Sequence, residues 1–212
     1  LSDEQRAPLC DVMLANHGPR SDLAATVDGL WTQRLIPFEG NVRAGRRAER
    51  GAPRLVAPRA SWADDARRLA ARISAAAGGA RVDHIGSTAI PGLPAKDILD
   101  LQLTVDSLEQ ADALAPTLAA AGFPAVPGIR ADTPHLDGAN SVGADAVGAD
   151  AVGADPAGWV KRYHANADPG RSLNLHVRVR DWPNWRCALL LRDWLIADPA
   201  AAAEYRALKE GL

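Results

Sequence analysis

The sequence predicts an α/β (α+β) domain, in which helices flank a sheet, behind a short helical segment. Three observations carry that prediction. Residues 99–105 (Leu-Asp-Leu-Gln-Leu-Thr-Val) and 173–179 (Leu-Asn-Leu-His-Val-Arg-Val) both alternate strictly between apolar and polar, the two-residue period of a strand with one buried face. Around them lie amphipathic stretches that open on capping residues and close on glycine, as helices do. This alternation of strands and helices begins only at Pro53; the first 50 residues read as helices with too few apolar positions for a core of their own.

The elements follow in order. Ser2-Asp3-Glu4-Gln5 has the form of a capping box ahead of Leu9, Val12 and Met13 at helical spacing, with Gly18 placed as a helix stop. Ser21 is expected to cap a second helix carrying Leu23, Val27, Leu30 and Trp31 on one face and ending at Pro37. Residues 41–50, with Arg43, Arg46, Arg47 and Arg50, read as a solvated helix or linker. Leu55-Val56 is a short strand candidate, and Ser61 opens a helix with Ala66, Leu69, Ile73 and Ala76 on its apolar side, closing at Gly78-Gly79. A strand at 81–85 leads into the Gly- and Pro-punctuated segment 86–94, strand 99–105, and a helix capped by Ser107 that stops at Gly122. From Asp132 to Pro156 runs a loop with a five-residue repeat, Val-Gly-Ala-Asp-Ala, whose small residues offer little to pack, so it reads as filler. After strand 173–179, Pro183 and Pro199 stand at the first positions of two closing helices. Of the six tryptophans, Trp62, Trp185 and Trp194 are expected in the core and Trp182 at the rim of a site.

Composition narrows the function. The 212 residues carry 24 Lys+Arg against 26 Asp+Glu, a net charge of −2, which excludes a protein whose main task is to grip nucleic acid or an anionic membrane. Lysine occurs only at Lys96, Lys161 and Lys209, so arginine supplies nearly all the basic charge. Cys10 and Cys187 are far apart and form no disulfide framework or zinc motif. No run of about 18 apolar residues and no signal-peptide pattern occurs, so a cytoplasmic setting is expected. The chain opens on Leu1, which reads as a piece of a longer protein.

Chemistry concentrates at residues 84–102. A strand that ends in Gly86-Ser87 and runs into a helix start at Thr88 sets backbone N–H groups and hydroxyls where a phosphate docks. Asp100, on the polar face of the next strand, suits a magnesium ion that phosphates bring with them. If 173–179 pairs beside 99–105, then Asn174, His176 and Arg178 share that face with Asp100 and Gln102, with Lys96 at the rim. Gly86, Ser87, Thr88, Lys96 and Arg178 are therefore the candidate phosphate ligands, and Asp100 and His176 the candidate catalytic pair. His84 is a weaker candidate for the same site.

The segment as a whole resembles the GrpB family, whose members share the nucleotidyltransferase fold, a mixed sheet flanked by helices. Gly86-Ser87 and Asp100-Leu101-Gln102-Leu103 align with that superfamily's hydrophobic-Gly-(Gly/Ser) and Asp-hydrophobic-(Asp/Glu)-hydrophobic pattern, and the likeness continues at Leu175-His176-Val177, Leu191–Leu195 and Pro199–Lys209, over roughly residues 53–212. The resemblance implies a nucleotide such as ATP and a metal pair at Asp100 and Gln102. Gln102 departs from the pattern, since a carbonyl can ligate magnesium but cannot replace a carboxylate's charge. It implies a degenerate metal site that binds a nucleotide or CoA-like phosphate. The alternative it leaves open is a working magnesium-dependent nucleotidyltransferase that uses Asp100, Gln102 and His176.

Residues 1–50 resemble the C-terminal end of dephospho-CoA kinases, on Asp11–Gly18, Leu23 and Val27–Trp31, and some such kinases carry a GrpB-like domain behind them. This implies a kinase domain N-terminal to the chain as its partner, with the GrpB-like domain as its C-terminal accessory module in coenzyme A biosynthesis, either binding the phosphate ligand or stabilising the kinase part through the helices of residues 1–50. No G-x-x-x-x-G-K-(S/T) occurs in these residues, so the phosphate-cradling loop of a kinase is not among them.

Overall fold

The computed structural model describes residues 2–133 and 156–211; the repeat expected to be filler lies outside them, at 142–155. The N-terminal part holds α1 (Asp3–Arg6), α2 (Arg20–Leu30) and α3 (Ile36–Arg43). The capping box at Ser2 and Gln5 forms, but the helix it starts gives way to a 3-10 turn at Ala7–Leu9, and residues 10–19 are not helical. The expected helix through Val12 and Met13 is thus corrected: Pro8 enters the second turn, where it can donate no backbone hydrogen bond.

The expected stop at Pro37 is also corrected. α2 and α3 are joined without a break by a π-turn at Trp31–Leu35, in which the Ile36 N–H reaches back five residues to the Trp31 carbonyl. Widening the turn just before a residue that has no N–H lets the helix pass the proline instead of ending at it. Pro19, not Ser21, stands at the start of α2.

Residues 41–50 are not a solvated linker. Asn41 and Ala48 are buried; the Asn41 amide donates to the Ala167 carbonyl at 2.9 Å, and the Ala48 N–H donates to the Asn166 carbonyl at 3.0 Å. Higher up, Arg34 grips Asp168 through two 2.8 Å bonds, so the segment is strapped along the domain that follows.

That domain is a four-stranded sheet built from β2 (Val82–Ile85), β4 (Leu99–Val105), β6 (Leu173–Val179) and β5 (Arg162–Ala165), in that order, with β1 (Leu55–Val56) and β3 (Ala95–Lys96) as a separate antiparallel ladder. β4 and β6 run parallel; β2 and β5 add antiparallel at the edges, so the sheet is mixed. The parallel register sets Asp100 beside Asn174, Gln102 beside His176 and Thr104 beside Arg178.

The odd positions of β4 and β6, Leu99 to Val105 and Leu173 to Val179, form the core with α4 (Ser61–Ala76) and α5 (Leu108–Ala120). Trp62, Leu69, Ile73, Leu118 and Phe123 fill the space between. The opposite face, which is polar, is covered by α6 (Pro183–Ala197) and bordered by α7 (Pro199–Glu210). Trp185 from α6 donates its indole N–H to Thr104 and packs on this polar face rather than in the apolar core. Trp194 is 56% exposed, against the expectation of burial, because α6 turns other positions, Leu189 and Leu195, inward. Trp182, expected at a rim, packs against the edge of the main core.

Candidate functional site

β4 and β6 bring Asp100 and His176 to the wall of a cavity of about 230 Å³, with Asn174 beside Asp100 in the parallel register. Gly86, Ser87 and Ile90 line it from the β2 turn, Arg178 from β6, Ala188, Leu191, Arg192 and Leu195 from α6, and Tyr205 from α7. One wall is therefore apolar and the floor polar. The volume is below the roughly 300–1,000 Å³ usual for drug-sized ligands, so the cavity fits a phosphate with its immediate neighbours, not a whole nucleotide.

Gly86 is there for a steric reason. Its φ is +70°, and a Cβ at this position would lie 2.7 Å from Asp100 Oδ2, so only glycine lets the turn lie against the carboxylate. The 3-10 turn Ser87–Ala89 then presents the Ser87 hydroxyl, which accepts from Lys209 Nζ at 2.6 Å. Thr88, expected beside it as a phosphate ligand, is buried, and its hydroxyl is 2.9 Å from His84 Nε2. Lys96 is exposed on β3; burial is the main cause that lowers Lys209, Asp100 opposes it, and Lys96 adds a smaller push in the same direction as burial.

Asp100 Oδ1 accepts from Asn174 Nδ2 at 2.8 Å and lies 3.4 Å from His176 Nε2. Burial works to raise its carboxyl, but the bonds from His176 and Asn174, together with His84, outweigh it and hold Asp100 below the usual carboxylate range. Burial drives His176 the other way, below the ordinary imidazole value, helped by Arg178 and Lys161 and opposed by Asp100. Both nitrogens of the imidazole are thus engaged, Nε2 by Asp100 and Nδ1 by Lys161 and Arg178, and it is the Asp100 carboxylate that can accept a hydrogen bond from a hydroxyl in the cavity.

Behind His176 lies a network that the sequence reading missed. Asp132 receives two bonds from Arg178, at 2.9 and 3.0 Å, and one from Lys161. Lys161 Nζ also lies 3.1 Å from His176 Nδ1. Burial alone would raise Asp132; Arg178 and Lys161 overcome it and lower its carboxyl to about 2. Gln102 is wholly buried, its Oε1 accepting from Arg178 at 2.6 Å and its amide donating to the Trp185 carbonyl at 3.3 Å. Arg178, expected to hold phosphate, reaches the cavity wall while also tying Gln102 to Asp132. Of the residues expected at the site, Gly86, Ser87, Asp100, His176 and Arg178 line one cavity; Gln102 and Thr88 are engaged just behind it and Lys96 stands outside. One signal could have found Lys161 and Lys209: with three lysines in the chain, two lie in this network and the third near it.

Among the described residues, no group of three or more His, Cys, Asp and Glu side chains converges as a metal would need, and no helix is long and apolar enough to cross a membrane.

Comparison with known proteins fits this architecture. Over 213 residues the chain is 45% identical to proteins named dephospho-CoA kinase from Mycolicibacterium paratuberculosis and Mycobacterium tuberculosis, matching 98% of its own length and 51% of theirs. It thus spans about half the length of these curated relatives. It is 30% identical over 131 residues to the UPF0157 protein YqkA of Bacillus subtilis, covering 62% of this chain and 30% of that one. The crystal structure of conserved protein GrpB from Enterococcus faecalis superposes with a TM-score of 0.52 over 74% of this chain and 81% of that one, at 22% identity, which establishes the shared fold. The GrpB protein family model matches residues 52–212, from just before β1 to the end of α7 and so across the whole sheet and cavity: the chain belongs to the GrpB family.

Proposed function

We propose that this chain is the GrpB-bearing part of a dephospho-CoA kinase-type protein of coenzyme A biosynthesis, working in the cytoplasm beside a kinase domain N-terminal to it. In this reading its cavity binds the phosphate of a nucleotide or CoA-like ligand. The observation that carries the reading is the excess of cations at the cavity. Lys161, Arg178 and Lys209 face Asp100 and Asp132, and Ser87 and the backbone of its turn stand at the mouth. Lys209 would offer a point charge beside Ser87, and Arg178, whose fork is taken by Asp132, would add its positive charge at the cavity wall. Asp100, oriented by His176 and Asn174, would take a ligand hydroxyl, and the wall of Ile90, Leu191 and Leu195 the apolar part next to it.

The donor set does not suit magnesium. Gln102 Oε1 is held by Arg178 and Asp100 Oδ1 by Asn174 and His176, so a cation would meet one remaining carboxylate oxygen among three positive side chains. Magnesium in such enzymes is held by one or two carboxylates together with substrate phosphates. Phosphate binding at this cavity therefore needs no metal, and nucleotidyl transfer through Asp100, Gln102 and His176 is the less favoured function.

Calorimetric titration with ATP, GTP, CoA and dephospho-CoA, with and without magnesium, tests both. Binding that does not need magnesium and falls at least tenfold in Arg178→Met is the expected result. No binding to any ligand would leave the domain only a structural role toward the kinase. Magnesium-dependent pyrophosphate release that disappears in Asp100→Ala would establish the transferase instead.

A further inference from the structure

The phosphate end of a nucleotide and that of the pantetheine arm of coenzyme A differ at one carbon. In both, a CH2 group carries the phosphate and a hydroxyl stands two carbons further on. The carbon between them holds the ring oxygen in AMP and two methyl groups in phosphopantetheine. A site separates the two ligands by what it sets beside that carbon.

The cavity sets hydrocarbon and a single carboxylate side by side. Ile90 and Leu195 belong to one buried cluster against which Tyr205 packs, and Leu191 precedes Leu195 by one turn of α6. Across from this wall, Asp100 Oδ1 is taken by Asn174 and His176, while its Oδ2 has no hydrogen-bond donor among the described residues. A nucleobase would find little to stack on. Tyr205 is the only aromatic ring among the described residues that line the cavity apart from His176, and Lys209 Nζ already lies over it, 5.6 Å from the centroid. A sugar ring oxygen turned to Ile90, Leu191 and Leu195 would lose its water and gain no donor, whereas methyl groups are stabilised there. Given a phosphate at Lys209 and Ser87, as proposed above, we infer that the cavity selects the phosphate ester of a branched aliphatic alcohol with a nearby hydroxyl, the chemistry of the pantetheine arm, over a sugar phosphate. Lys209 and Ser87 hold the phosphate, Leu191 and Leu195 take the methyl groups, and the hydroxyl donates to Asp100 Oδ2.

Calorimetric titration of the chain with phosphopantetheine and with AMP, without magnesium, tests this. Burying two methyl groups is worth about tenfold in affinity, so phosphopantetheine is expected to bind about tenfold more tightly than AMP. Equal affinities, or a preference for AMP, would overturn the selection and leave phosphate binding standing. Binding of neither would defeat phosphate binding itself, and the selection with it. Leu191→Asn then tests whether the wall makes the choice. Leu191 is 43% exposed, so the fold tolerates a polar side chain there, and the ratio of the two affinities is expected to fall about threefold or more. An unchanged ratio would place the preference elsewhere on the arm and sink the inference. The native chain gives an independent readout by saturation-transfer NMR. The methyl protons of phosphopantetheine should receive saturation more strongly than the CH2 protons beside its thiol; the reverse order would also overturn the assignment.

Discussion

The two faces of the β4–β6 pair are made by the same fourteen residues, and they do opposite work. On one face Leu99, Leu101, Leu103, Leu173, Leu175 and Val177 have no exposed surface and belong to one apolar cluster with residues of α4 and α5. On the other, Gln102, Thr104 and Arg178 are almost as buried, yet their polar atoms are bonded to Trp185, Asp132 and one another. Equal burial thus has two different physical bases. The apolar face is stabilised by area removed from water, about 25 cal/mol per Å². The polar face holds because each donor meets an acceptor; it contributes less to stability and fixes where charges stand.

That contrast can be broken from the apolar side first. Leu101→Ala leaves a cavity between the sheet and α4 and is expected to cost about 2–5 kcal/mol, read by urea denaturation. Ligand affinity of the folded fraction should not change, because position 101 turns away from the cavity that Asp100 lines. A Leu101→Ala chain that keeps its stability but loses ligand would show that the faces are not separate.

Breaking the polar face should give the reverse pattern. Arg178→Met keeps the length of the side chain and removes its bonds to Asp132 and Gln102. Lys161 still neutralises Asp132, so the expected stability loss is about 2–3 kcal/mol, against a loss of binding of at least tenfold. The acid limit should move as well. Asp132 is depressed to about 2, so its contribution is complete above its unfolded value near 3.8 and is lost as pH falls toward 2. Without Arg178 the loss should begin at higher pH, visible in thermal melts between pH 5 and 2.

How much of this could be read from the sequence follows from the same contrast. Alternation announces which residues share a face, so Asp100, Gln102, His176 and Arg178 were legible together, as was the leucine face. The Gly86-Ser87 turn was legible because a strand and a helix start enclose it. Partners from distant segments left no periodic mark: Arg50 bonds Asn174 across 124 positions, and Lys209 bonds Ser87 across 122. Nor does a run of arginines show whether it is solvated or strapped down, since that depends on carbonyls such as those of Asn166 and Ala167 that only the fold presents. The π-turn that carries the helix past Pro37 is hidden for a related reason: propensity marks the proline as a stop, and tertiary packing decides otherwise.

The smallest expected effect joins the two faces at the edge strand. His84 on β2 stands 2.9 Å from Thr88 Oγ1, and its imidazole is lowered to about 4. Burial is the main cause; Asp100 opposes it, while Arg192 and Arg171 add to it. In the unfolded chain the same ring takes up a proton near 6.5. Between pH 6.5 and about 4 the unfolded state therefore binds more protons, and stability falls as pH is lowered through that window. The effect is close to zero at pH 7 and reaches about 2 kcal/mol at pH 5. His84→Gln keeps a hydrogen-bonding group toward Thr88 and has nothing to titrate. Its denaturation midpoint should lie at or below wild type at pH 7 and converge on it, or cross it, by pH 5. Parallel pH profiles for the two chains would mean that His84 is freely protonated in the fold, and that the edge of the polar face is more open to water than its geometry implies.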